Sequence, residues 1–311
     1  MGSEQVTFHS EGKRLVGTLH LPQGEGPWPT IVQGPGWIEL RCSAVSEPYH
    51  EGFVAAGYAV LAFDTRGFGE SEGDRGWERP QDQQEDLLNA ITYARTRSEC
   101  DSDRLGLFAV GGLGCGNSIY VAREEPRVKA ICAMTVVADG ATWFRQMRRE
   151  YEWIAFLKRV DENHMRRVLN GTDELIDPRE DLMIATPERR TTGVALRGAD
   201  DARVGGAFHL ASAESLMRFR PIEVVDRIGS CALLMTSVAD DVVTPEDHAL
   251  ALYERAHAPK KLIRQANATH YASYVANKNV LLEHILDWYA RYLQSSPITV
   301  RASLLEETIT I

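Results

Sequence analysis

The chain has 311 residues, of which 44% are apolar and 25% are charged. This length and balance fit a globular protein with one large core and an inserted cap better than two domains of equal size. The formal net charge of −10 argues against nucleic acid or an anionic membrane as a partner, because both favour clustered Lys and Arg. We therefore expect a protein that binds neither of them.

Cysteine usage and the N-terminus bear on location. The cysteines are odd in number, scattered and free of a CxxC pair, which predicts neither a disulfide framework nor a zinc site. The N-terminus has no apolar segment of signal-peptide length, and Val6 stands where a myristoylation signal needs Ser or Thr. We expect a cytoplasmic protein without an anchor. Neither a metal nor a cofactor is indicated, since no HxH or HExxH spacing is present.

The first predicted elements are two strands, "EQVTFHS" and "KRLVGTLHLP", in which apolar and polar residues alternate. Such alternation is typical of a half-exposed antiparallel pair. The short, unbroken apolar runs that follow predict strands buried on both faces of a parallel sheet. These runs are "TIVQG", "YAVLAFD", "RLGLFAV", "VKAICAM", "CALLMTSV" and "KLIRQA".

Segments of helical length separate these runs. They are "SEPYHEGFVAAG", "QDQQEDLLNAITYARTR", "PEDHALALYERAHA" and "NVLLEHILDWYARYLQ". Acids and a proline near the starts of these segments favour helix N-termini. Repeated alternation of strand and helix predicts an α/β fold with a mostly parallel, doubly wound sheet, led by the antiparallel pair at one edge.

The alternation breaks once, between about Asp139 and Arg227. Here "ATWFRQMRREYEWIAFLKRV" and "ENHMRRVL" resemble helices. We therefore predict a mostly helical cap at residues 139–227, inserted between core segments 1–138 and 228–296. The tail, residues 297–311, alternates again, so an added strand, an arm toward a second subunit of a homodimer and a disordered end all stay open.

The loops that follow the predicted strands hold the candidate site, because ligands gather at the carboxyl ends of strands in such a sheet. After "TIVQ" comes "GPGWIELR", a tight turn at Gly36 and Trp37 whose backbone N–H groups would face a developing oxyanion. The loops "ADDVVTPEDH" and "NATHYASY" supply acids and a histidine.

These pieces resemble the α/β-hydrolase fold, in particular its dienelactone hydrolase and Xaa-Pro peptidase-like branch, from about residue 5 to 294. The resemblance is carried by "GYAVLAFDTRGFGESEG", "DRLGLF", "EEPRVKAICAM", "DDVVTP" and "ATHYASY" in the family's order. It implies that His270 is the catalytic base and Asp241 the acid that orients it, with Asp240 and Asp139 as competing acids. A carboxylate so placed would hold His270 in one tautomer and make it a directed proton acceptor.

The chain departs from the family at the turn after its fifth strand, where the family places Ser or Cys in G-x-Nuc-x-G. The sequence reads "LFAVGGLGCGNS", and counting puts the nucleophile position at Gly111, Gly112 or Gly114. Every alignment replaces the nucleophile with glycine. A glycine there leaves room for water or substrate and keeps the N–H groups that bind an anion.

Cys115 is the remaining candidate nucleophile, because a thiol near a helix N-terminus can be activated by a histidine. Its expected place three or four residues into a helix makes packing the more common role for such a cysteine. Trp143 and Tyr271 are predicted to line the substrate pocket.

The resemblance implies a hydrolase-like enzyme for a small carbonyl compound, an ester, thioester, lactone or C–C bond, in which His270 activates water. Two alternatives stay open. One is a lyase, isomerase or cyclase that uses the same pair only for proton transfer, and the other is a hydrolase that depends on Cys115.

Overall fold

The computed structural model describes residues 2–183, 186–193, 204, 206–257, 259–293 and 306–311, and its centre is a nine-stranded sheet. The strands are β1 (Gly2–Ser10), β2 (Lys13–Leu21), β3 (Trp28–Gly34), β4 (Ala59–Phe63), β5 (Cys100–Val110), β6 (Val128–Met134), β9 (Ala232–Val238), β10 (Lys260–Gln265) and β11 (Glu306–Thr310). Their order across the sheet is β1-β2-β4-β3-β5-β6-β9-β10-β11. A separate antiparallel pair consists of β7 (Leu175–Ile176) and β8 (Phe208–His209).

Helices lie between the strands. They are α1 (Glu47–Ala55), α2 (Pro80–Thr96), α3 (Gly112–Glu124), α4 (Gly140–Gln146), α5 (Glu150–Asn170), α6 (Ser212–Met217), α7 (Asp247–Arg255), α8 (His270–Val275) and α9 (Lys278–Tyr292). Short helical turns occur at Pro178–Leu182, Arg189–Gly193, Pro221–Glu223 and Val225–Arg227. None of the helices in the described ranges is both long and apolar enough to span a bilayer.

The sheet confirms the predicted mixed topology. β1 pairs antiparallel with β2, and β2 pairs antiparallel with β4. From β4 onward each neighbouring pair is parallel. Only every second residue near the end of β1 is buried, whereas all residues of β4 and β9 are, as their alternating and continuous apolar patterns require.

Two apolar clusters cover the two faces of the sheet. On one face Ile91 of α2, Ile119 of α3 and Leu252 of α7 pack against the strands. On the other, Phe53 of α1 and Trp288 of α9 do so, and both side chains are fully buried. This double layer fixes the carboxyl ends of the parallel strands relative to one another, because close-packed interiors leave side chains little room to move.

Helix boundaries between β6 and β9 differ from the sequence prediction. The predicted break after "LKRV" is absent, and α5 runs through it, whereas the chain breaks earlier, between Gln146 and Glu150. The backbone N–H of Arg149 donates to the Glu152 carboxylate at 2.8 Å and caps the start of α5. Gly171 then ends the helix with a φ of 68°, the left-handed conformation that favours glycine.

Part of the tail forms the last strand of the sheet. β11 pairs in parallel with β10, and Lys261, a buried residue of β10, forms an ion pair of 3.0 Å with Glu307. Of the three interpretations of the tail, residues 306–311 fit the added strand. Residues 297–305 lie outside the described part of the chain.

Candidate active site

The predicted acid and histidine lie in contact at the carboxyl end of the sheet. Asp241 follows β9, and His270 is the first residue of α8, after β10. His270 Nδ1 lies 2.7 Å from Asp241 Oδ2, and both residues are buried. The second oxygen of Asp241 accepts the backbone N–H groups of Val243 at 2.7 Å and Thr244 at 3.0 Å. The carboxylate is thus fixed and keeps the histidine Nδ1 protonated toward it.

The competing acids lie elsewhere. Asp240 is exposed, with a φ of 57° that turns the chain before Asp241. Asp139 caps α4 by accepting the N–H of Thr142 at 2.8 Å, and it pairs with Arg220 at 2.8 Å. These contacts lower the pKa of Asp139 despite its partial burial. Asp139 therefore serves the start of α4 and does not contact the histidine.

The second ring nitrogen of His270 faces a tyrosine. The Tyr274 hydroxyl lies 3.1 Å from Nε2 and 2.5 Å from Thr135 Oγ1. Burial raises the pKa of Tyr274 well above its usual value, so the phenol stays neutral. Thr135 has a φ of 61°, a strained conformation for a β-branched residue. Thr135 is a residue of this network that sequence reasoning did not find.

The turn between β5 and α3 falls at Gly111, the first of the three alignments. Gly111 has φ 82° and ψ 149°, a conformation almost confined to glycine. Among the described residues, a Cβ built on it would meet only Gly36 Cα and Trp37 N within 4 Å, both at 3.8 Å. The space above this turn is therefore open to the cleft.

Cys115 is the fourth residue of α3 and does not line the cleft. Its thiol is fully buried and donates to the carbonyl oxygens of Ala109 at 3.3 Å and Met134 at 3.2 Å. Burial raises the pKa of the thiol well above its usual value, opposite to the activation that a cysteine nucleophile needs. This environment argues against the nucleophile role.

A largely apolar cleft of about 860 Å³, open to solvent, contains the histidine. Its lining residues include Gly36, Trp37, Gly111, Gly112, Trp143, His270, Tyr271 and Tyr274. Trp143 is anchored by its indole N–H, which donates to the Val243 carbonyl at 2.7 Å, and its ring meets that of Trp37 edge-on at 6.3 Å. The structure thus brings the predicted oxyanion turn, the predicted pocket residues and His270 to one space.

Gly36 lets the two turns of the cleft approach closely. A Cβ at this position would lie 2.1 Å from the Val110 carbonyl oxygen, so only glycine fits without displacing β5. The next residue but one, Ile38, has a φ of 46°, which is again strained for a β-branched side chain. Strained backbone therefore occurs at Ile38, which lines the cleft, and at Thr135, which contacts the lining residue Tyr274.

Glu39 is a titratable residue that lines the cleft. Its carboxylate accepts the Gly36 N–H at 2.7 Å and the Ser46 hydroxyl. Burial raises its pKa to about 7, although the hydrogen bonds from Ser46 and Gly36 counteract this rise. Its position directly after the oxyanion turn was the only sequence signal for it.

Metal binding has no support from geometry in the described ranges, where no three His, Cys, Asp or Glu side chains converge. The site consists of a buried carboxylate–histidine pair, a tyrosine, a glutamate of raised pKa and two close turns. Such groups move protons and hold an oxyanion.

A parallel sheet flanked by helices, with this pair at its carboxyl edge, defines an enzyme of the α/β-hydrolase type. More particularly, the chain belongs to the X-Pro dipeptidyl-peptidase (S15) family, whose sequence model matches residues 11–272. The predicted fold, superfamily and hydrolase-like enzyme class are thereby confirmed.

The chain is also similar to individual proteins and to a solved structure. The chain is 27% identical over 271 residues to the "Uncharacterized 31.7 kDa protein in traX-finO intergenic region" of Escherichia coli, covering 87% of this chain and 93% of that one. It is 36% identical over 137 residues to thiohydrolase apmlB of Arthrinium phaeospermum, covering 42% of each chain. The solved structure of the α/β hydrolase GrgF from Penicillium sp. sh18 matches with a TM-score of 0.77 and 19% identity, covering 94% of this chain and 99% of that one.

Proposed function

We propose that this enzyme cleaves a small carbonyl compound with a water molecule that His270 activates, and forms no covalent intermediate. The observation that carries the proposal is the buried His270–Asp241 pair, which opens onto the same cleft as the side-chain-free turn at Gly111. The substrate class is an ester, thioester, lactone or C–C bond next to a carbonyl. The name of the relative apmlB, a thiohydrolase, supports the thioester.

The proton transfer follows from the tautomer that Asp241 favours. With its Nδ1 proton donated to Asp241, His270 keeps the Nε2 lone pair as a proton acceptor. The Tyr274 hydroxyl lies 3.1 Å from Nε2, so water either takes the place of this contact or reaches Nε2 through the hydroxyl. Water bound there loses a proton to Nε2 as its oxygen attacks the carbonyl carbon. Asp241 stabilises the imidazolium that forms, and the proton leaves His270 when the product departs.

The negative charge on the carbonyl oxygen needs donors that are already in place. The N-terminus of α3 begins at Gly112 beside the turn at Gly36 and Trp37, so the backbone N–H groups of Gly112 and Trp37 are the candidate donors. Without a side chain at Gly111, water or the reacting part of the substrate occupies the space that a nucleophile would fill.

A second candidate function is proton transfer without hydrolysis, as in a lyase, isomerase or cyclase. The Tyr274 hydroxyl at Nε2 favours it, because a tyrosine bonded to the base is suited to pass a proton to or from substrate. Turnover in oxygen-18 water separates the two functions, since only hydrolysis must incorporate solvent oxygen into the product. Cys115 has no comparable observation in its favour.

Three variants test the role of the histidine in turnover of a p-nitrophenyl ester. His270→Ala should lower kcat by about 10²–10⁴-fold, the usual contribution of a general base. Cys115→Ala should retain most activity, because its thiol is turned away from the cleft. Tyr274→Phe should lose less than His270→Ala if water is the direct partner of Nε2, and as much if the tyrosine relays the proton. A strong loss in Cys115→Ala with activity kept in His270→Ala would refute the proposal.

A further inference from the structure

Glu39 lies on the wall of the cleft formed by the β3–α1 connection, whereas His270 lies at the start of α8. Both residues line the same cavity as Gly111 and Gly112. A substrate whose carbonyl carbon lies above the turn at Gly111 therefore has Glu39 on one wall of the cleft and His270 on another. Hydrolysis requires two proton transfers, because water must lose a proton and the leaving atom must gain one. A single histidine can carry out both in turn, whereas two groups can carry them out together.

We propose that Glu39 is the proton donor of this site, which protonates the leaving oxygen or sulfur while His270 removes the proton of water. The inference rests on the proposed hydrolytic function. As the bond from the carbonyl carbon to the leaving atom breaks, its electron pair takes the Glu39 proton, and the product leaves as alcohol or thiol. Glu39 is then a carboxylate and His270 an imidazolium, and proton exchange with solvent restores both.

The surroundings of the carboxyl suit this cycle. Oε2 accepts the Gly36 N–H and Oε1 accepts the Ser46 hydroxyl, so the charge left after proton donation meets donors already in place. Each carboxyl oxygen has a second lone-pair direction, which leaves capacity for a contact in the cleft.

Besides His270, the charged side chains to consider are Arg41, near Glu39 in sequence, and Arg189, which lines the same cleft. Arg41, two residues along the chain, turns to Asp64 and Glu70. The charge of Glu39 helps to raise the pKa of the Cys115 thiol, which is itself buried. Burial holds the pKa of Glu39 at about 7, so that a substantial fraction carries the proton near neutral pH.

The test compares two acetate esters that differ only in their leaving group. p-Nitrophenolate leaves without a proton, whereas the alcohol of benzyl acetate needs one. Glu39→Gln should lower kcat for benzyl acetate by about 10²–10⁴-fold and change that for p-nitrophenyl acetate by less than about tenfold. Equal losses on both esters would indicate a structural role in the turn, and no loss on either would indicate no role; both results overturn the proposal.

Glu78→Gln is the matched control. Glu78 is also buried, and its pKa is raised to about 8 by burial, but it does not line the cleft. Its variant should leave both rates unchanged. His270→Ala should slow both esters alike; if it slows neither while Glu39→Gln still shows the selective loss, the proposed function fails and the assignment of Glu39 stands.

An infrared titration decides the case in which wild-type enzyme cleaves neither ester. The difference spectrum of wild type and Glu39→Gln should contain a protonated-carboxyl band that disappears with a midpoint near pH 7. A carboxyl of Glu39 already ionised at pH 5.5 would overturn the proposal.

Discussion

At the residue scale, the sequence predicts those site residues that lie in recognisable motifs directly after predicted strands. Asp241 and His270 lie after consecutive strands, and the carboxyl ends of parallel strands meet at one edge. Glu39, Tyr274 and Thr135 could not be predicted in the same way. Their relevance depends on the path of the β3–α1 connection and on the turn of α8, which no local pattern records.

Substitution of Gly111 tests directly whether the space above the turn between β5 and α3 is open. Gly111→Ser should place a hydroxyl in that space and create a nucleophile that a fluorophosphonate labels, since a Cβ there has no contact under 3.8 Å. Gly111→Ala is the control, because it carries the same backbone strain at φ 82°, about 1–3 kcal/mol, without the hydroxyl. A folded Gly111→Ser protein that remains unlabelled would contradict this account of the turn.

The raised pKa of Glu78 leads to a prediction of how the free energy of unfolding depends on pH. Its pKa is about 8 in the folded protein and near 4.5 when unfolded, so the folded state binds the proton more tightly between these values. The contribution of Glu78 is complete below pH 4.5 and declines as the pH rises through 8. Between pH 6 and 9 the free energy of unfolding should fall by on the order of 2 kcal/mol from this group.

Urea unfolding of wild type and Glu78→Gln at pH 6 and pH 9 measures this dependence. The variant should lose less stability over the same interval, since glutamine does not ionise. An identical loss in both proteins would show that the carboxyl of Glu78 ionises at its ordinary pKa.

At the element scale, the spacing of apolar residues and the residues at the segment ends predict helices α1, α2, α7 and α9. The break before α5 was missed because it depends on a hydrogen bond from Arg149 to Glu152 rather than on Gly or Pro. The sequence does not decide whether the tail joins the sheet, because alternation alone does not identify the partner strand, here β10.

The packing of α3 against β3 gives an element-scale prediction. A Cβ at Gly114 would lie 2.5 Å from the carbonyl oxygens of Gly34 and Pro35, which lead into the oxyanion turn. Gly114→Ala should therefore destabilise the fold by about 1–3 kcal/mol and lower kcat by displacing the turn. Thermal unfolding and esterase assays measure both effects.

Gly206→Ala is the matched control for this variant. In the part of the chain that the structure describes, a Cβ at Gly206 meets nothing within 4 Å, so stability and kcat should stay near wild type. If Gly114→Ala behaves like Gly206→Ala, the close approach of α3 to the oxyanion turn does not control the geometry of the site.

At the scale of the whole molecule, the alternation of strands and helices predicts the α/β class and the mostly parallel sheet, and the resemblance of the motifs adds the α/β-hydrolase fold. Strands buried on both faces have continuous apolar sequences, and parallel neighbours need crossover helices, so order and burial together leave few topologies. The division into core and cap, the homodimer and the cytoplasmic location stay predictions. They depend on how the cap is oriented, on which surface contacts a second subunit and on targeting, none of which follows from the spacing of apolar residues.

The central claim is that turnover proceeds without an enzyme-bound acyl group. Intact-mass spectrometry of the enzyme, acid-quenched during steady turnover of p-nitrophenyl acetate, tests it most directly. We predict a single species at the mass of the unmodified chain, because Gly111 offers no nucleophile and the Cys115 thiol is buried. A species heavier by one acetyl group that forms and decays at the rate of turnover would contradict the account.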